Sequence, residues 1–159
     1  MAFEQWNETF RQGVQTEDVL RNHFSEAGWR VSGNHNTASY DFAVNTGKFI
    51  ALVEVKDESR YKGSANIAIE VTQGENKPSG ISISESTVVL HYFGEYVVAY
   101  RTQAMRLHLR QVRAFRPPKL FKGSDNNNKG VLIPIDSLDV PWFDVVSLDG
   151  LVKSGVWSP

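Results

Sequence analysis

The chain has 159 residues, of which 41% are hydrophobic and 22% charged, with a net charge of −1 and no cysteine. That length suits one domain spanning residues 1–159 with a single substantial core, and the lack of cysteine excludes disulfides, thiolate catalysis and cysteine-ligated zinc. No apolar run reaches the roughly 20 residues of a membrane span, and Met1-Ala2-Phe3-Glu4 lacks the pattern of a secretory signal, so a cytoplasmic location is expected.

From Glu4 to Ala27 the periodicity predicts a helix stopped by Gly28. Phe10, Gly13, Glu17, Leu20, Phe24 and Ala27 fall on one stripe, in which Glu17 is anomalous as a carboxylate on a core-facing line. A short strand from Trp29 to Ser32 follows, then a polar loop. Ala38 to Asn45 and Lys48 to Lys56 alternate as two strands around Thr46-Gly47, a plausible two-residue hairpin turn.

The second of these strands, Phe49-Ile50-Ala51-Leu52-Val53-Glu54-Val55-Lys56-Asp57, is an apolar run ending in Glu-x-Lys. Buried charges are costly unless paired or bound to a metal, so charge at the end of a central strand points to chemistry. Alternation puts Glu54 and Lys56 on one face, roughly 6.6 Å apart. If Asn45 pairs with Lys48, Asp41 faces Leu52 and lies diagonal to Glu54, roughly 7–8 Å away on the same side. Two carboxylates at that separation can share one divalent ion, and their hard oxygens suit Mg2+, with Mn2+ able to substitute. A metal so held polarises a phosphate and acidifies water, while the lysine orients that water or offsets charge.

Further along, Asp57 to Ala65 reads as a charged loop and Asn66 to Val71 as an alternating strand carrying Glu70, a further candidate metal ligand. Thr72 to Gly80 reads as a polar loop containing Lys77, and Ser82 to Ser86 as a short helix. Thr87 to Phe93 and Glu95 to Arg101 form a second hairpin around Gly94, and Thr102 to Phe115 a helix ended by Pro117-Pro118. From Arg101 to Gly123 there are seven Lys/Arg and no Asp/Glu; removing +7 from −1 leaves −8 for the rest. Arg106, Arg110 and Arg113 share one helical face, extended by Arg101, Arg116, Lys119 and Lys122. Such a face can track the phosphates of DNA, with Lys77 as an additional contact; the alternative is a solvated helix face. The four histidines lack metal-ligand spacing and read as ordinary surface or core residues. The tail from Pro141 is apolar enough to dock through Trp142, Phe143 and Trp157.

Asp41 followed by Glu54-Val55-Lys56 at the end of an apolar strand resembles the PD-(D/E)XK nuclease superfamily, with Tyr40 in place of proline. Gly13-Val14-Gln15-Thr16-Glu17 is similar to the Gly-x-x-x-Glu of archaeal-type Holliday junction resolvases, over roughly residues 11–57. The segment from Asn66 to Ile81 looks more like phage-borne nucleases of the superfamily. The resemblance implies an α/β, restriction-endonuclease-like core with a central mixed β-sheet flanked by helices. It implies Asp41 and Glu54 as metal ligands, Glu17 as an added or water-mediated ligand, Lys56 as the catalytic lysine, and Ser32 or Ser39 as the family's loop serine. The implied activity is a Mg2+-dependent endodeoxyribonuclease resolving branched DNA as a homodimer, in the host cytoplasm if phage-encoded. A superfamily nuclease of recombination or repair acting on linear or flapped DNA, and a DNA-structure-binding protein that does not cut, are the alternatives.

Overall fold

Thr16, Leu20 and Phe24 follow one another at intervals of four along the first helix, and all three are buried. The computed structural model describes the backbone of residues 2–33, 40–61, 63, 65–115, 120–122 and 128–158, and side chains over 11–33, 40–61, 63, 65–112 and 128–158. Helix α1 (Ala2–Glu26) is continuous through Gly13. Its buried line passes beside Glu17, which is half-buried, while Ala27 is exposed. Leu20 and Phe24 of the expected stripe are in the core, whereas Thr16 takes the buried place expected for Glu17, which borders the core.

In chain order the strands are β1 (Arg30–Ser32), β2 (Phe42–Asn45), β3 (Ile50–Asp57), β4 (Asn66–Gln73), β5 (Lys77–Pro78), β6 (Val88–Tyr92), β7 (Val97–Arg101), β8 (Leu120–Lys122), β9 (Asn128–Pro134) and β10 (Phe143–Val146). Helix α2 (Thr102–Phe115) follows β7, with the bounds read from the sequence. A mixed six-stranded sheet has the order β1-β2-β3-β6-β7-β10, in which β3 and β6 are parallel and the other neighbouring pairs antiparallel. This is the expected α/β fold with a central mixed sheet and two helices.

A second sheet, β5-β4-β9-β8, was not anticipated. Strand β4 reads from its alternation as a strand with no partner assigned, and it pairs with β9 and β5. Periodicity identifies a strand but is blind to its partner, because pairing is settled by contacts distant in sequence. Likewise the segment expected to be a short helix at Ser82 to Ser86 is a 3-10 turn that starts two residues earlier, over Gly80–Ser82.

The two faces of the six-stranded sheet have separate cores. On one, Phe42, Val44, Ala51, Val53, Val88, Leu90, Val97 and Ala99 meet Leu20 and Phe24 of α1 and Leu151, Val156 and Trp157 of the tail. Trp157 packs edge-on to Phe24 at 5.3 Å and to Trp29 at 5.2 Å, and its indole N–H donates to the Leu151 carbonyl. The tail docks as expected, and β10 within it completes an edge of the sheet. Full burial of side chains such as Leu20 and Phe24 contributes about 1.5–3 kcal/mol each.

On the other face, Val89, Val98 and Tyr100 meet Ile67, Ile69, Val131 and Ile133 of the second sheet and Met105 and Leu109 of α2. Alternation along β3 sends Leu52, Glu54 and Lys56 to this face.

The β2–β3 connection differs from the expected two-residue turn. Asn45 pairs with Ile50 and Phe42 with Val53, so residues 46–49 form a four-residue loop, closed by the Thr46 N–H donating to the Phe49 carbonyl. Gly47 adopts φ +91 there, a conformation that favours glycine. The register is shifted by two residues from the one expected. Because the side-chain period is two, Asp41 keeps the face predicted for it.

Gly80 is the tightest backbone approach near the site. A Cβ there would stand 2.4 Å from the Glu70 carbonyl oxygen, and φ is +53. Gly80→Ala therefore combines left-handed backbone strain with overpacking, at a cost of about 2–4 kcal/mol. Urea denaturation of this variant against wild type measures the loss.

Candidate active site

Lys56 and Glu54 stand two residues apart at the end of β3, and their side chains meet: Lys56 Nζ lies 3.1 Å from Glu54 Oε1. The other carboxylate oxygen, Oε2, accepts from the Ser84 hydroxyl at 3.0 Å. Behind it a buried hydroxyl chain continues from Ser84 to Ser86 at 2.8 Å and from Ser86 to Thr102, the first residue of α2, at 3.0 Å. Glu54 is thus held from both sides. Its rotamer is fixed by side chains from the segment preceding β6 and by the β3 lysine.

Asp41 lies one residue before β2, where the ladder ends. Its N–H donates to the Val53 carbonyl at 2.8 Å, and its Oδ2 accepts from the Val55 N–H at 2.7 Å. The carboxylate therefore replaces a ladder acceptor beside Glu54, not on the diagonal anticipated from the two-residue turn. Burial pushes the Asp41 carboxyl above its ordinary range. The Val55 N–H works against that shift, Glu54's negative charge adds to it, and Lys56 and Arg21 oppose it. Burial works to lower the Lys56 ammonium, but the Glu54 carboxylate bonded to it, with Asp41 and Glu70, outweighs this and raises it above its ordinary value. Lys56 is accordingly a cation at neutral pH, and its side chain is 47% exposed.

Glu70 joins this group from β4. It lines a cavity of about 20 Å3 together with Glu54, Lys56, His91 and Tyr100, and it acts electrostatically on Lys56. Glu17 is half-buried on α1, whose Leu20 and Phe24 pack on the opposite face of the sheet. On α1 it lies between Gln12, which donates to the Ser59 hydroxyl at 2.6 Å, and Arg21, which donates to the Asp41 carbonyl at 3.3 Å. Ser32 is exposed on β1, and Ser39 lies outside the described residues.

A divalent ion at this place would be held by Asp41 and Glu54. The fit rests on the donor set: Asp41, immediately before β2, and Glu54, on β3, bring two carboxylates together from neighbouring strands, and hard oxygens of this kind suit Mg2+ or Mn2+. Among the described residues, no three His, Asp or Glu side chains converge as a ready ligand set.

The basic residues separate by position. Arg106 donates to the Ile81 carbonyl at 2.6 Å and to the Ser84 carbonyl, clamping the segment that supplies Ser84 to Glu54. Arg110 is exposed one turn further along, and the two arginines border a groove with Ile81, Ser82 and Leu109. Arg101 donates to the Ser158 carbonyl at 2.9 Å and stands over the Phe49 ring at 5.5 Å. Lys77 is exposed on β5. The side chains of Arg113 and Lys122, and the whole of Arg116 and Lys119, lie outside the described residues. Met105 and Leu109 are buried, as the helical pattern of α2 requires. Losing two hydrogen bonds from a charged donor, Arg106→Gln is expected to cost about 1.5–3 kcal/mol; thermal melts of this variant beside Arg110→Gln, which costs little, check it.

Sequence reasoning missed Ser84, Ser86 and Thr102, which hold Glu54, and Glu58 and Tyr100, which hold His91. His91 is a core histidine, one of the two ordinary places expected for a histidine without metal-ligand spacing. It is 1% exposed, and its position within the apolar run from Val88 to Phe93 was a usable signal, since a polar group buried in a strand has hydrogen-bond partners.

The fold and this site define an α/β protein with a carboxylate–lysine centre at the end of a central strand. The chain matches no protein-family profile, no curated protein and no solved structure. No helix among the described residues is long and apolar enough to cross a membrane.

Proposed function

We propose that the chain is a metal-dependent DNA endonuclease, in which Asp41 and Glu54 hold Mg2+ or Mn2+ and Lys56 serves phosphodiester hydrolysis as a cation. The observation that carries the reading is the Lys56 ammonium fixed 3.1 Å from Glu54, beside the half-buried Asp41 carboxyl, at a strand end. A bound divalent ion supplies Lewis acidity and an activated water. The chain's own contribution is position and charge. Ser84 and Lys56 hold Glu54, the Val55 N–H holds Asp41, and the ammonium offsets negative charge as it develops on the phosphate. Paired with Glu54, the Lys56 ammonium stands where it can offset charge at the phosphate or orient the attacking water.

Within this reading the proposed substrate is branched DNA of the four-way-junction type, on the strength of Gly13-x-x-x-Glu17 upstream of Asp41 and Glu54-x-Lys56. Paired cuts across a junction call for two copies of the site, hence a homodimer. Among the described residues expected to meet DNA, Arg110 and Lys77 are exposed to phosphates. Each phosphate left unneutralised reduces the slope of log K against log salt by about 0.9. Arg110→Gln is expected to do this in fluorescence anisotropy on labelled DNA, and an unchanged slope removes Arg110 from the interface.

A labelled panel of four-way junction, flap, linear duplex and single strand, incubated with Mg2+ or with EDTA, tests the proposal. Symmetric nicks confined to the junction, and lost with EDTA, are the expected result. Metal-dependent cutting of linear or flapped DNA keeps the nuclease and discards the resolvase. Tight binding without metal-dependent cutting of any substrate identifies a DNA-structure-binding protein instead.

A further inference from the structure

Behind the Glu54–Lys56 pair lies a second polar constellation with no part in metal holding. His91 on β6 is 1% exposed and Tyr100 on β7 is 2% exposed. His91 Nδ1 lies 3.1 Å from Glu58 Oε1, and His91 Nε2 lies 2.9 Å from the Tyr100 hydroxyl. Three polar side chains in line, two of them buried in an apolar core, are an expensive arrangement for packing alone.

The chemistry of the donors orders the chain of bonds. A carboxylate only accepts, so the proton of a neutral His91 resides on Nδ1 and points to Glu58. Nε2 is then an acceptor, and the Tyr100 hydroxyl donates to it. That leaves the Tyr100 oxygen with its lone pairs for a further partner. Burial, with the negative charges of Glu54 and Glu58, holds the Tyr100 phenol well above its ordinary range, so it stays a hydroxyl. Tyr100 lines the same cavity of about 20 Å3 as Glu54, Lys56 and Glu70. That space admits about one water molecule with two to four polar partners, enough to join the Tyr100 oxygen to the pair on β3.

We propose that Glu58, His91 and Tyr100 form a fixed hydrogen-bond relay that presents the Tyr100 oxygen, through one buried water, to the Glu54–Lys56 pair, making Tyr100 and His91 positioning residues for that pair. This rests on the reading of Glu54 and Lys56 as the reacting machinery. The relay acts from within the sheet, on the side of Lys56 away from solvent. It restricts the ammonium and the carboxylate to one geometry without touching DNA.

Tyr100→Phe removes the hydroxyl and little else. With the DNA that wild type cuts best, the expected result is a fall in kcat of roughly 10–100-fold with KM held within about two-fold, as for outer-shell partners of metal sites. His91→Gln, whose amide oxygen still accepts from Tyr100, retains more activity than His91→Leu. Independently of cleavage, 15N NMR of His91 at pH 8 is expected to show the proton on Nδ1 and a bare Nε2 whose resonance moves in Tyr100→Phe. Wild-type kcat in Tyr100→Phe overturns the relay and leaves the nuclease standing, as does a proton found on Nε2 at that pH. A wild-type protein that cuts no DNA overturns both.

Discussion

Lys56→Ala is expected to lower Mg2+-dependent cleavage by about 10²–10³-fold, the range for removing one preorganised charge that stabilises a developing anion. The loss falls on kcat, since Lys56 sits at the strand end, apart from the groove bordered by Arg110. Binding of DNA in EDTA is expected to change by less than about three-fold, because one phosphate-facing cation carries only a small share of the electrostatic affinity. Lys56→Arg does not restore the rate: a planar guanidinium cannot place its charge where a compact ammonium 3.1 Å from Glu54 Oε1 does. Cleavage undiminished in Lys56→Ala protein free of contaminating nuclease sinks the proposed function.

Asp41→Asn is expected to abolish metal-dependent cleavage and, in EDTA, to make the protein more stable. The amide oxygen still accepts from the Val55 N–H, so the hydrogen bond survives while the charge goes. The sign follows from the raised Asp41 carboxyl. The folded state holds the proton more tightly than the unfolded chain, so ionising Asp41 costs folding free energy as pH rises through the raised value. Below the ordinary aspartate range, variant and wild type melt together. Above it the variant gains, at about 2–4 °C in Tm for each kcal/mol. Added Mg2+ reverses the order, since a metal at ten times its Kd stabilises the wild type by about 1.4 kcal/mol and leaves Asp41→Asn unmoved. Differential scanning fluorimetry from pH 3 to 8, with EDTA and with Mg2+, reads both effects. A variant no more stable than wild type in EDTA removes the charge-strained carboxyl, and a wild type unmoved by Mg2+ removes the metal assignment.

The parts of this protein set by short-range pattern were legible in the chain. Helix α2 has the bounds read from the sequence, Thr102–Phe115, because a proline limits a helix within a turn. Strand β3 and the shared face of Glu54 and Lys56 follow from alternation alone, and Asp41 kept its face because the register moved by two. The seat of Asp41 beside Glu54 needed the actual β2–β3 loop of residues 46–49, whose length is fixed by how the strands pack.

What only the tertiary structure decided is everything that joins segments far apart in sequence. β4 pairs with β9, far along the chain, and so carries Glu70 over the Lys56 end of β3. Ser84, Thr102, Glu58, His91 and Tyr100 converge behind Glu54 and Lys56 from separate elements, and no local spacing relates them. Arg106, on a face that reads as a track for DNA phosphates or else as solvated, turns to clamp the carbonyls of Ile81 and Ser84. The physical reason is common to all three. Sequence pattern reports which way a side chain points along its own element, whereas a partner is chosen by burial and hydrogen-bond satisfaction across the folded chain.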